Sequence, residues 1–234
     1  MTTPYVPDAA RTGHPAARSD LHGLPVDIAP QLLGGYLVTT VDGHTVAIRI
    51  TEVEAYHGKG TGPVPDPGSH ARMGRTTRNS TMWEEAGHLY VYLSHGIHSC
   101  INVVCGPNGE AGGVLVRAGE VVHGIDSAHE RSGRRGRDLA RGPGRLGQIL
   151  GLKHALHDGI DAIDSVPQSG AVATLLLPST VGAYEQGPRV GVAGIAGTDA
   201  FPWRFWIPGD RTVSPFRWGR GAAEAAAART AEQE

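Results

Sequence analysis

The chain has 234 residues, 40% of them hydrophobic and 19% charged, with 34 Gly, 16 Pro, 12 His and two Cys. That size and hydrophobic share suit one domain with loose ends and exclude a wholly disordered chain, and no apolar run is long enough to span a membrane. Lys plus Arg (21) against Asp plus Glu (23) leaves a net charge of −2, which by itself gives no sign of a nucleic-acid partner.

Two cysteines exclude a disulfide framework, and no charged-then-apolar leader opens the chain, so a reducing, cytoplasmic location is expected. Residues 1–20 mix Pro, Ala and small polar residues without an apolar period and are expected to form a disordered tail. The domain is expected over residues 21–218. Residues 219–234, mostly Ala and Glu with a few Arg, are expected to be a second tail, able to form a frayed helix but with no apolar face to dock.

Within the domain, residues 27–33 read as a helix with Pro30 near its start, and residues 35–40 and 45–56 as a hairpin around a Val-Asp-Gly-His turn. Residues 58–68 form a long Gly/Pro loop. Residues 89–93 and 97–104 make a second hairpin candidate across Gly96, and residues 114–118 and 190–195 are short strands. Further helices are expected over residues 126–135 and 145–152. The fold class is α+β: a single domain, a mostly antiparallel mixed sheet and peripheral helices.

Three segments carry chemistry. Glu52 and Glu54 lie two apart on a strand and so share a face. Two such acids interact, one holding its proton, unless they are a solvated strand face paired with arginines. Next, Arg72, Arg75 and Arg78 lie within a short loop with His70, Thr76, Thr77 and Asn79 and no compensating acid, a set suited to phosphate oxygens. Arg131, Arg134, Arg135, Arg137, Arg141 and Arg145 form a second run, diluted by Asp138. An ordinary charged surface is the alternative for both runs. Only Lys59 and Lys153 are lysines, so nearly all the positive charge is forked guanidinium.

The third segment, residues 88–102, flanks a turn with Tyr90, Tyr92, His95 and His98. It can present a ring for stacking or a wedge for a groove, or its aromatics can simply pack across strands. A zinc site of His95, His98 and Cys100 lacks a further ligand pair at suitable spacing, so no metal is expected, and Cys100 and Cys105 read as inert near-core thiols. There is no phosphate-binding Gly-rich loop and no nucleophile elbow. Gly142-Pro143-Gly144-Arg145 opens a helix whose amides suit an anion.

Read in order, these segments resemble the alkyladenine (3-methyladenine) DNA glycosylase family. The blocks are Leu32-Leu33-Gly34, Thr51-Glu52-Val53-Glu54-Ala55-Tyr56, Asp66 with Ser69-His70-Ala71-Arg72, and Gly74-Arg75-Thr76-Thr77-Arg78-Asn79 with Met82. They continue through Gly87-His88-Leu89-Tyr90-Val91-Tyr92, Cys100-Ile101-Asn102-Val103-Val104, Leu115-Val116-Arg117-Ala118 and Gly142-Pro143-Gly144-Arg145-Leu146. Pro188-Arg189-Val190-Gly191-Val192 and Pro202-Trp203-Arg204-Phe205 complete a match over roughly residues 30–210.

The resemblance implies a monofunctional base-excision repair enzyme that flips damaged purines from duplex DNA, with Glu54 as general base on a water and Arg117 as its partner. The Val192 backbone is implied as a further water contact. Tyr56, His70 and Tyr92 are implied as walls sandwiching the base, and Asn102 as the residue that screens its substituents. Arg72, Arg75 and Arg78 would contact the DNA backbone, and the hairpin would protrude and insert into DNA. The family usually places tyrosine at that hairpin tip; here His95 stands there, a smaller ring able to carry charge near DNA. No cofactor and no membrane are expected, the partner is damaged duplex DNA, and a monomer, nucleoid-associated if bacterial, is implied. A damage- or RNA-binding module without turnover remains open on the residues alone. A deformylase-like or formyltransferase-like enzyme has no sequence feature of its own here.

Overall fold

A computed structural model describes residues 6–10 and 12–231. In chain order the elements are β1 (Gly13–Pro15), α1 (Pro25–Leu32), β2 (Tyr36–Val41), β3 (His44–His57), β4 (His88–Ser94), β5 (His98–Val104) and β6 (Gly112–His123). They continue as α2 (Ile125–Ser132), α3 (Pro143–Leu150), α4 (His154–His157), β7 (Ile160–Asp161), β8 (Ala171–Pro178), β9 (Glu185–Gly187), β10 (Arg204–Trp206) and α5 (Ala222–Ala231), with short 3-10 turns between.

The strands join one sheet in the order β1-β8-β2-β3-β6-β5-β4-β7, with β10 paired to β3 and β9 to β10. All these ladders are antiparallel, so the fold is α+β with helices set around a single sheet. One apolar core runs from α1 across β3, β5 and β6 to α3 and β8. Among the described residues no helix is long and apolar enough to cross a membrane.

The 14-residue β3 organises everything else. Its first half pairs with β2, its second half with β10, and its other edge with β6. Opposed irregularities interrupt the β3–β6 ladder: Thr51 has no opposite residue between Ile50 and Glu52, and Arg117 has none between Val116 and Ala118. A bulge bends a strand and re-aims its side chain. Here it delivers Arg117 to the face that carries Glu52 and Glu54.

The β4–β5 hairpin closes through His95 (φ 51°) and Gly96 (φ 69°), both in the left-handed region. A primed turn of this kind matches the twist of the flanking strands and leaves its tip residue outside the sheet. Helix α3 lies directly beneath, because a Cβ at Gly147 would stand 1.8 Å from the Ser99 carbonyl.

Two expectations are corrected. The proposed tail over residues 1–20 is structured in its later part: β1 pairs with β8, and the Arg18 guanidinium holds Asp161, Asp164 and the Ala86 carbonyl. Its residues 1–5 and 11 lie outside the described residues, as do residues 232–234 of the second tail. Residues 190–195 form no strand, because positive φ at Gly191 and Gly194 breaks the extended backbone and the Val190 N–H is drawn to Glu54. The C-terminal stretch, read as able to form a frayed helix, carries α5, with Ala222 buried at its start.

Candidate active site and nucleic-acid interface

The floor of the site is a four-membered ionic cluster. Glu54 is fully buried. Its carboxylate accepts from the Val190 N–H at 2.6 Å, the Tyr56 hydroxyl at 2.7 Å and Arg117 Nη1 at 3.3 Å. Glu52, also fully buried, accepts from Arg117 Nε at 3.1 Å, Arg204 Nε at 2.7 Å, and the Ser214 N–H and hydroxyl at 2.8 and 2.9 Å. The solvated-face alternative for the acid pair therefore fails, and the two acids share Arg117 between them. Burial works against the Arg117 charge, but Glu54 and then Glu52 more than offset it and its pKa is raised.

The two carboxylates have different partners. Glu52 takes three donors on Oε1 and one on Oε2, and Glu54 takes two on Oε2 and one on Oε1. All three Glu54 donors (Tyr56, Arg117 and Val190) line the cavity, whereas Glu52 is also held by Arg204, which does not.

The cavity holds about 970 Å³. Tyr56, His70, Tyr92, Asn102 and Arg117 all line it. His70 and Tyr92 meet edge to face at 4.6 Å and 90°, while Tyr90 stacks on Tyr92 at 5.4 Å. No flat base fits between rings already in contact, so His70 and Tyr92 form a corner, and Tyr56 lines the same cavity. Burial pushes the Tyr56 and Tyr92 phenols up and that of Tyr90 to about 12, so all three rings stay neutral. Partial desolvation and then the Arg78 and Arg72 charges lower the His70 pKa. Asn102 donates its amide to the Tyr90 carbonyl at 3.1 Å. Burial likewise raises the thiols of Cys100 and Cys105, which leaves them unreactive.

Behind Tyr56 sits a second buried pair. Arg189 forks onto Asp66 through two hydrogen bonds of 2.9 and 2.7 Å, donates to the Ala55 and Ala196 carbonyls, and lies 4.5 Å from the centre of the Tyr56 ring. Its position fixes the neighbouring Val190 N–H on Glu54. The adjacent His57 is buried against Trp203 with neither ring nitrogen hydrogen-bonded, and burial lowers its pKa to about 4.

A pH dependence follows. The unfolded histidine binds its proton near the ordinary value of 6.5 and the folded one resists it, so stability is full above about pH 6.5 and falls as pH drops toward 4. The urea midpoint is expected to decline across that window, and less steeply in His57→Leu. Parallel declines in the two proteins would overturn this.

Most predicted rim residues converge on the cavity. Arg72 and Arg78 line it and are steadied by the Ser69 and Leu93 carbonyls, as do His95 and His98 from the hairpin. Arg75 is exposed in the same loop but does not line the cavity. From the second basic run Arg141 and Arg145 line it, with Asp138 beside Arg145 at 3.3 Å. Among the described residues no cluster of His, Cys, Asp and Glu has the geometry to hold a metal.

The N–H on Glu54 belongs to Val190. Val192 lines the cavity, and its carbonyl is crowded by Gly197 and Gly219, where an added Cβ would stand 2.1 Å away. Sequence reasoning also missed the roles of Arg204, Arg189 and Ser214. The first two lay inside recognised blocks whose partners are remote, and Ser214 carried no signal, since its partner Glu52 is 162 residues away.

The methylpurine-DNA glycosylase family model matches residues 20–211. Among similar proteins, one from Leifsonia xyli is 49% identical over 198 residues, covering 82% of this chain and 88% of its own. One from Nocardia farcinica is 46% identical over 207 residues, covering 88% and 93%. One from Streptomyces avermitilis is 46% identical over 195 residues, covering 82% and 87%. All three carry the provisional name 3-methyladenine DNA glycosylase.

Proposed function

The chain belongs to the methylpurine-DNA glycosylase family, and on that premise we propose that it is a monofunctional DNA glycosylase of base-excision repair, releasing alkylated purines such as 3-methyladenine from duplex DNA. The observation that carries this reading is Glu54: a buried carboxylate whose three hydrogen-bond donors, Tyr56, Arg117 and Val190, all line the cavity.

Alkylation of a ring nitrogen makes the purine cationic, so it leaves without prior protonation. Water on Glu54 attacks the deoxyribose C1′, and a C1′–O bond forms as the C1′–N bond breaks. The bonding pair moves into the purine, which departs neutral. The water proton passes to Glu54 and then to solvent, leaving a hydroxyl at an abasic site. A positioned base of this type contributes about 10²–10⁴ in rate. Arg117 and the Val190 N–H hold the carboxylate in place, and the Val192 backbone on the cavity wall is a further contact for the water.

The base must leave the stack to reach this floor. The slot between Tyr56 and the His70–Tyr92 corner receives it, and neutral aromatic faces favour a cationic base. Asn102 screens its substituents. The hairpin tip inserts His95 into the space the nucleotide vacates, while Arg72, Arg75 and Arg78 hold phosphates. One copy of the chain carries every group the reaction uses, which supports a monomer.

The test is direct. Incubation with methylated duplex DNA is expected to yield free 3-methyladenine and abasic sites without strand cleavage by the protein itself. Methylated bases left in place would overturn the reading and favour a binding module. His95→Tyr is expected to tighten duplex binding several-fold, since the larger ring fills more of the space the nucleotide vacates. Unchanged affinity would remove His95 from the wedge role.

A further inference from the structure

The family match ends at residue 211, yet residues 212–221 run across the active cavity as a strap anchored along its length. Thr212 is hydrogen-bonded to Thr51, and the Val213 carbonyl accepts from Arg141 Nε at 2.9 Å. Ser214 binds Glu52 twice and accepts Arg204 Nη2 on its carbonyl at 2.7 Å. The Arg217 and Arg220 carbonyls accept the N–H groups of Gly191 and Gly194, both at 2.9 Å. Gly219 crosses so close to the Val192 carbonyl that no side chain fits there.

The backbone is thus committed to the protein, but the side chains are not. Ser214, Pro215 and Arg217 line the cavity. Arg217 is exposed and has no carboxylate partner among the described residues. On either side of it Phe216 and Trp218, in edge-to-face contact at 4.8 Å, remain 37% and 46% exposed. Single exposed aromatics need no explanation. An aromatic pair bracketing an unpaired guanidinium, on a rigid strap at the rim of a cationic cavity, is the combination used to hold a nucleic-acid strand: guanidinium to phosphate, ring to base or sugar.

We propose that this strap is a second DNA-gripping surface, in which Arg217 takes a phosphate flanking the flipped nucleotide and Trp218, backed by Phe216, packs on the adjoining nucleotide. The inference rests on the proposed function and adds a contact outside the family match. Because Ser214 also holds Glu52 and lies 3.4 Å from Arg117 Nη2, the same strap sets the distance between the gripped backbone and the catalytic floor.

The test measures binding of the full chain to methylated and to undamaged duplexes across a salt series, beside the release assay on the wild type. Arg217→Ala is expected to weaken both affinities about tenfold and to make the slope of log K against log salt shallower by about 0.9, the value for one lost phosphate contact. Arg217→Lys is expected to restore the slope. Trp218→Ala is expected to weaken binding about tenfold, within the range of one stacked base, without changing the slope. Urea midpoints report whether the fold is intact. If all three variants bind as the wild type does, or if Arg217→Ala keeps the wild-type slope, the strap proposal is overturned. A docked protein in place of DNA is one way to obtain that result. A wild type that binds duplex but releases no methylated purine overturns the proposed function alone, and variants that bind normally beside an active wild type overturn the strap alone.

Discussion

Glu54→Gln is expected to lower release of methylated purine at least about 100-fold while affinity for lesion-containing duplex stays within about threefold of wild type. The magnitude follows from what a general base contributes. Glutamine nearly matches the carboxylate in shape, so its oxygen still accepts the Val190 N–H, and Tyr56 and Arg117 still line the slot. What it lacks is the ability to take a proton from water. The cluster of Glu52, Glu54, Arg117 and Arg204 also shifts from two acids and two bases to one acid and two bases, so a urea midpoint is needed beside the rate. A well-folded variant that retains more than about a tenth of wild-type release would remove Glu54 from the role of base.

Asp66→Ala is expected to be the most destabilising single change near the site. Asp66 and Arg189 are both fully buried, and Asp66 also accepts the backbone N–H groups of His57 and Gly68. Removing one partner of a buried ion pair strands the other charge and typically costs about 3–5 kcal/mol. The stranded charge here lies under Tyr56 and beside the Val190 that holds Glu54. Lost stability is therefore expected to bring lost catalysis with it. The double variant Asp66→Ala/Arg189→Met, which buries no unpaired charge, is expected to recover a substantial part of the urea midpoint. A single variant that costs under about 1 kcal/mol, or a double variant less stable than the single, would show that the pair does not hold this wall.

Which parts of this architecture are visible in the chain depends on how local their cause is. The hairpins were legible because alternation and turn residues act over a few positions: residues 45–56 and 89–93 lie within β3 and β4. Glu52 and Glu54 could be placed on one face from strand period alone. The direction of Arg117 could not, because it depends on a bulge opposite another strand. The sequence 190–195 looks like a strand in its apolar run, and fails as one because its amides are claimed by Glu54 and by the strap. Arg18, read as part of a tail, is fixed by acids more than 140 residues away.

The net charge of −2 shows the same division. Its clustering into the loop of Arg72, Arg75 and Arg78 and the run ending at Arg145 is written in the chain, as are the ordered blocks that establish the family and single out Glu54. Those features are set by residue identity and short spacing, which folding does not alter. Whether an acid meets water or an arginine, whether two rings enclose a slot or touch, and which backbone N–H reaches a carboxylate are set by contacts between segments far apart in the chain. Glu52 and Glu54 are chemically identical, two residues apart and share Arg117, yet Ser214 and Arg204 hold one while Val190 and Tyr56, from the cavity wall, hold the other. That difference arises only when the strap and β10 close over β3, because the donors that distinguish the two acids come from those distant segments.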